Sequence, residues 1–133
     1  MPPPVERVLI ESGEDLVRLR RRVREQAAAL GFGQTDQVRL VTAASELARN
    51  IVRYAGRGFA DIFEVTRRGR HGLEVRFEDQ GPGIADVELA MRDGYTTGRS
   101  LGKGLPGARR LVDDFDIASE VGKGTVITII KWL

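Results

Sequence analysis

The sequence predicts an α+β fold, a two-layer α/β sandwich in which helices cover one face of a mixed sheet. Three observations predict it. Leu40, Val41, Ala44, Leu47, Ala48, Ile51 and Ala55 fall on one side of a helix at about 100° per residue. Leu73, Val75 and Phe77 alternate with Glu74, Arg76 and Glu78, as in a strand buried on one face. The elements run β-α-α-β-β-α-α-β-β through 133 residues with no internal repeat, which is one domain (residues 1–133) around one core.

The elements follow in order. After a loose proline lead (residues 1–4), Val5 to Glu11 reads as the first strand. Ser12 with Asp15 three residues on marks a helix start, and its acidic residues suit the positive end of the dipole. Leu16, Leu19, Val23, Ala27 and Leu30 keep helical spacing until Gly31 stops the helix. Arg18, Arg21, Arg22 and Arg24 form a basic stripe on its other side, a solvated surface or a contact for an acidic partner. The second helix takes Thr35 as N-cap and Gly56 as its stop, with Val38 and Val52 at the margins of its apolar side. Its polar side gathers Glu46, Asn50 and Arg53 within an arc of roughly 60°. Taken alone, such a face is solvated surface.

Phe59 to Arg67 and Leu73 to Asp79 read as two strands around a turn at residues 68–72, which contains His71. A short helix near Asp86 to Met91 follows, and then a long polar stretch, Arg92 to Gly104, of the length that is functional or disordered in a compact domain. Leu105-Pro106-Gly107 leads into a helix through Val112, and Phe115 to Glu120 with Thr125 to Trp132 form a closing hairpin. The formal net charge of +2 gives no whole-chain field pointing to nucleic acid or membrane. With no cysteine, disulfides and thiolate chemistry are excluded, and a single histidine, His71, argues against a zinc site. No apolar run reaches membrane length and the start lacks a signal pattern, so the expected location is cytoplasmic.

Four motifs then occur in order: Glu46 with Asn50; Asp79-x-Gly81-x-Gly83; Gly102-x-Gly104-Leu105-Pro106-Gly107; and Gly122-x-Gly124-Thr125. Each alone is weak; together, at domain-length spacing, they resemble the N, G1, G2 and G3 boxes of the GHKL (Bergerat) ATP-binding fold shared by gyrase, histidine kinases and MutL-type proteins. No Walker sequence occurs. The resemblance implies ATP and Mg²⁺ as cofactors and a role for each box. Asp79 accepts from the exocyclic amine of adenine, with Gly81, Gly83 and Ile84 shaping the loop beside the base. Asn50 offers an oxygen to Mg²⁺. Gly104, Leu105 and Gly107 open a helix whose free N–H groups meet phosphate, with Lys103 and Arg53 neutralising its charge. Thr125 bonds near the adenine. Glu46, one turn from Asn50, polarises an incoming hydroxyl or water. Residues 92–104 correspond to the ATP lid. Gly-Leu-Pro-Gly stands where many relatives have Gly-Leu-Gly-Leu, which stiffens that end of the lid and leaves the contact of Lys103 open.

The chain length has no room for a histidine-bearing helical domain or a transducer domain, which points to the stand-alone members of the fold. Ser45 to Gly58, Glu78 to Ile84, the Gly104 to Gly107 turn and the Lys131-Trp132 ending resemble the switch kinases of bacterial partner-switching (stressosome) pathways. That resemblance implies phosphorylation of serine or threonine on STAS-domain proteins and, after release, activation of a PP2C-type phosphatase. The second function class is a binding module, an anti-sigma factor that sequesters a sigma factor with or without kinase activity.

Overall fold

The computed structural model describes residues 3–92 and 101–133, with side chains from residue 104 in the second segment. Five strands and four helices are described: β1 Glu6–Ile10, α1 Gly13–Leu30, α2 Gln34–Asn50, β2 Gly58–Arg67, β3 Arg70–Asp79, α3 Val87–Ala90, α4 Leu101–Leu111, β4 Asp114–Glu120 and β5 Gly124–Trp132. A π turn, Ile51–Ala55, continues α2.

The strands form one sheet in the order β1-β2-β3-β5-β4. Every adjacent pair is antiparallel, so the sheet is not the mixed one expected. The reason is the route after α4. A strand following two helices is a natural parallel neighbour for β3, but β4 goes to the edge. The hairpin then returns β5 between them, opposite in direction to both. Val8, Ile10, Ala60, Ile62, Leu73, Val75, Phe77, Ile127 and Ile129 form the buried face of the sheet. Leu16, Leu19, Val23 and Ala27 of α1 and Leu40, Val41, Ala44, Leu47 and Ala48 of α2 are buried with them in one core. Burying each large aliphatic side chain contributes roughly 1.5–3 kcal/mol, and the two helical stripes are complementary to one sheet face.

Local chemistry sets the ends of the elements. The Asp15 carboxylate accepts from the backbone N–H of Glu11 (2.8 Å) and of Ser12 (3.1 Å), and these bonds hold its pKa below the ordinary value. Gly31 takes φ 100° and ends α1. Thr35 is not the cap of α2. Gly33 fills that position two residues earlier, directly after buried Phe32, its carbonyl accepting from the N–H of Gln37. Between β2 and β3, Arg68 (φ 52°) and Gly69 (φ 79°) make a two-residue hairpin closed by the Arg67–Arg70 pair. His71 therefore lies in the strand opposite Thr66 and not in the turn. Arg22 and Arg18 of the basic stripe are paired, Arg22 with Glu6 at 2.7 Å and Arg18 with Asp15 at 3.1 Å, which breaks the stripe's continuity. Among the described residues, no helix is long and apolar enough to cross a membrane.

α4 differs most from expectation. It begins at Leu101, which puts Pro106 inside it and Gly104 to Gly107 in its body, not at its opening. Proline's preference for the first helical position suggested the later start. Inside the helix it forfeits one bond, to the carbonyl of Gly102 in the first turn. Most of the stretch read as the lid, residues 93–100, lies outside the described residues, as does the side chain of Lys103.

Candidate active site

A cavity opens between the C-terminal end of α2, the loop after β3 and the start of β5. Its walls include Asn50, Ile51, Tyr54, Ala55, Phe77, Asp79, Gly83, Ile84, Leu105 and Thr125. Of the residues singled out from sequence, it brings together Asn50, Asp79, Gly83, Ile84, Leu105 and Thr125. Gly81 stands beside it, packed so closely that a Cβ there would meet Cβ of Ala55 at 2.6 Å.

Asp79 ends β3 opposite Thr125 of β5. Its Oδ1 accepts from the Gly81 N–H at 2.9 Å, which folds the loop back on itself. Burial pushes its pKa above the ordinary value, against the pull of the bonds from Gly81 and Thr125. A half-buried carboxylate among Ile51, Ala55, Phe77, Ile84 and Leu105 favours a ligand that brings an N–H donor on a flat, apolar body.

The loop after β3 and the β4–β5 turn are locked together. Gly122 N–H donates to the Pro82 carbonyl (2.9 Å). The Ser119 hydroxyl accepts from the Ile84 N–H (2.7 Å), meets Thr125 Oγ1 at 2.8 Å and donates to the Gly124 carbonyl (3.2 Å). Ser119 has a single proton, and giving it to Gly124 makes the Thr125 hydroxyl the donor to Ser119. The lone pairs of Thr125 Oγ1 are then left as acceptors. Gly83 (φ 76°) and Gly124 (φ 120°) admit no side chain: a Cβ would collide with the carbonyls of Glu120 and Asp79 respectively. Ser119 was missed in the sequence, since a lone serine in an alternating strand carries no signal.

Asn50 stands against α4, where a Cβ on Gly104 would lie 2.9 Å from its Nδ2. That amide end is buried and without a hydrogen-bond partner. Exchanging the two ends of the amide, which have nearly the same shape, would put the oxygen there instead. Among the described residues no three His, Asp or Glu side chains gather to hold a metal. A lone amide oxygen fits Mg²⁺ when phosphates and water supply its other ligands, and does not fit a cation that needs a protein cage.

Glu46 and Arg53 do not share the cavity with Asn50. They line a separate groove between α2 and α4, with Thr42, Arg49, Gly107 and Arg110. Glu46 and Asn50 both lie in the regular part of α2, so the single polar face expected is divided where α4 packs on it, with Gly104 against Asn50 and Gly107 in the groove; in the π turn that follows, Tyr54 and Ala55 line the cavity and Arg53 the groove. Glu46 Oε1 accepts from Arg49 Nη1 at 2.7 Å, an i,i+3 pair that the sequence reading overlooked. Gly107 thus belongs to the groove and not to the cavity.

The histidine kinase-like ATPase domain family matches residues 11–131, and the chain belongs to that family. Within it, the chain is of the type represented by the serine/threonine-protein kinase RsbT of Bacillus subtilis. The two are 52% identical over 119 residues, which is 90% of each chain. An anti-sigma F factor of Caldanaerobacter subterraneus is 30% identical over 98 residues, 69% of this chain and 67% of that one. Among solved structures, the RsbU and RsbW domains from Mycobacterium tuberculosis superpose with a TM-score of 0.62 at 20% identity; the match covers 96% of this chain and 32% of that one. The mycobacterial sensor histidine kinase MprB superposes at 0.58 with 19% identity over 96% of both chains. At such identities these two structures carry the fold alone.

Proposed function

We propose that the chain is an ATP- and Mg²⁺-dependent serine/threonine protein kinase of partner switching, transferring phosphate to STAS-domain proteins and afterwards engaging a PP2C-type phosphatase. The observation that carries this reading is the junction of cavity and groove. Asn50 on the cavity wall and Glu46 in the groove stand one turn apart on α2. Adenine enters the cavity, giving its exocyclic N–H to Asp79 with Thr125 beside it. Gly81, Gly83 and Ile84 shape the loop along the base, and Leu105 packs on the apolar side. Asn50 holds Mg²⁺, which when bound supplies charge neutralisation to the phosphates. Gly104 leaves room for the Asn50 amide, and charge on the phosphates would be neutralised by Lys103, whose side chain lies outside the described residues, and by Arg53 from the groove side.

In the transfer step the acceptor hydroxyl oxygen forms a bond to the γ-phosphorus. Its proton passes to the Glu46 carboxylate, and the bond to the β,γ-bridging oxygen breaks with its electron pair remaining on ADP. Phosphorylation places a dianion beside Glu46, and repulsion there favours release of the product.

The test is transfer of label from [γ-³²P]ATP to a purified STAS-domain protein. The wild type is expected to label a serine or threonine, and Glu46→Gln to retain nucleotide and lose about 10²–10⁴-fold in rate. Normal turnover in that variant removes Glu46 from the chemistry. The similarity to an anti-sigma factor supports a second reading, sequestration of a sigma factor. Recovery of a sigma factor from lysate, with no STAS protein labelled, favours it over the first.

A further inference from the structure

Gly58 opens β2 in the interior of the sheet, paired with Ile10 of β1 on one side and Asp79 of β3 on the other. It belongs to none of the four motifs, and it is not among the residues that line the cavity. It does not take a positive φ, so its backbone conformation does not call for glycine. What the position lacks is space. A Cβ on Gly58 would overlap the Glu78 carbonyl and would lie 3.1 Å from both Asp79 Cβ and Ile51 Cγ2. Asp79 and Ile51 are both cavity-wall residues. The Glu78 carbonyl belongs to the peptide that carries Asp79, so a side chain at position 58 enters only if the end of β3 moves. Asp79 is bound on its other side by the Gly81 N–H at 2.9 Å, which leaves that end little slack.

We infer that Gly58 is a positioning residue for purine recognition: by keeping the space behind Asp79 free of a side chain, it fixes where the carboxylate meets the exocyclic amine and so sets the preference for adenine. The inference rests on the kinase reading above, which puts adenine against Asp79, and adds a selectivity determinant to that site. The two kinds of contact in the cavity differ in how steeply they depend on position. A hydrogen bond weakens sharply once its distance or angle leaves a narrow range. Apolar contact with a flat ring changes gradually and is the same for every purine. A displaced Asp79 therefore loses the amine before the cavity loses the ring. A displaced Ile51 alters the fit of all purines alike. The effect of a side chain at position 58 on selectivity thus passes through Asp79.

The experiment titrates the full chain, with Mg²⁺, against ATP and against purine riboside triphosphate, which lacks the exocyclic amine. The readout is the ratio of the two affinities, which the wild type should hold in favour of ATP. Gly58→Ala should bring that ratio about threefold to tenfold closer to one. Gly72→Ala is the matched control in β3. Its Cβ would lie 2.7 Å from Trp132 Cε3 and 2.9 Å from the Lys131 carbonyl, both outside the cavity lining, so it should lose stability and keep the ratio. In an Asp79→Asn background, Gly58→Ala should change the ratio no further. A wild-type ratio in Gly58→Ala, an equal change in Gly72→Ala, or a further change on top of Asp79→Asn overturns the inference. Should Gly58→Ala fail to unfold cooperatively, the isotope-labelled wild type decides. ATP is expected to shift the Gly58 backbone amide signal and purine riboside triphosphate to shift it much less; equal shifts overturn the inference. A wild type that binds both nucleotides alike, or neither, removes the adenine reading of the cavity and the inference with it. If the wild type discriminates, Asp79→Asn does not and folded Gly58→Ala still does, the inference falls alone.

Discussion

The cavity and the groove share helix α2 but are built on opposite plans. In the cavity, position is fixed by backbone. Gly83 and Gly124 sit where no side chain fits, Asp79 is bound by its own loop, and Ser119 joins two segments far apart in sequence. The groove is walled by long charged side chains, and its one glycine has open space around it. At Gly83 and Gly124 the backbone packing leaves no room for a side chain, so a change there strains the fold itself. The groove places no such demand on Gly107. The difference teaches that a glycine can be required by the fold at one place and not at another.

The sharpest way to break this comparison is to add one methyl group at each place. Gly124→Ala forces a φ of 120° on an L-residue and drives its Cβ into the Asp79 carbonyl, so it should cost about 3 kcal/mol of stability in denaturant unfolding. Ser119→Ala comes next. It removes the acceptor for the Ile84 N–H and the partner of Thr125 at the cavity edge, and should cost about 1–2 kcal/mol in stability with a matching loss in nucleotide affinity. Ser119→Thr, which keeps the hydroxyl, should recover part of the affinity. Gly107→Ala should do the reverse and stabilise by about 0.5–1 kcal/mol, through helix propensity alone. An alanine at position 107 that destabilises as much as one at position 124 erases the distinction.

A control lies outside the linings of both sites. Asp15 carries a lowered pKa because it accepts from the N–H groups of Glu11 and Ser12. Its stabilisation is therefore complete above the ordinary carboxylate pKa and lost as pH falls through the depressed value. Asp15→Ala should cost about 0.5–1 kcal/mol at neutral pH and nothing in strong acid, with nucleotide affinity unchanged at neutral pH.

The cavity was largely legible in the sequence because its demands fall on residue types with few substitutes. Asp79, Gly83 and Thr125 come in short motifs, and the apolar period of α2 gave its buried face down to Ile51. The groove was less legible. A regular helix placed Glu46, Asn50 and Arg53 on one face, whereas α4 packs onto that face with Gly104 against Asn50, and the packing of a later helix leaves no mark in the period of an earlier one. The start of α4 was misjudged because proline's usual position outweighed the spacing around it. Sheet direction depended on where a crossover set β4 down, which no strand pattern records. The Arg49–Glu46 pair was readable from its i,i+3 spacing, and Ser119 was not, since its partner Ile84 lies 35 residues away.

The central claim is that the cavity reads adenine through Asp79, and calorimetric titration of Asp79→Asn with ATP and GTP tests it most directly. The carboxylate is half-buried and its pKa is raised by desolvation, so the neutral amide should leave cooperative unfolding intact at neutral pH. ATP affinity should fall by about 1.5–3 kcal/mol, roughly tenfold to more than a hundredfold, and the preference for ATP over GTP should shrink with it. A folded Asp79→Asn protein that binds ATP as tightly as the wild type, with the same discrimination against GTP, would contradict the account.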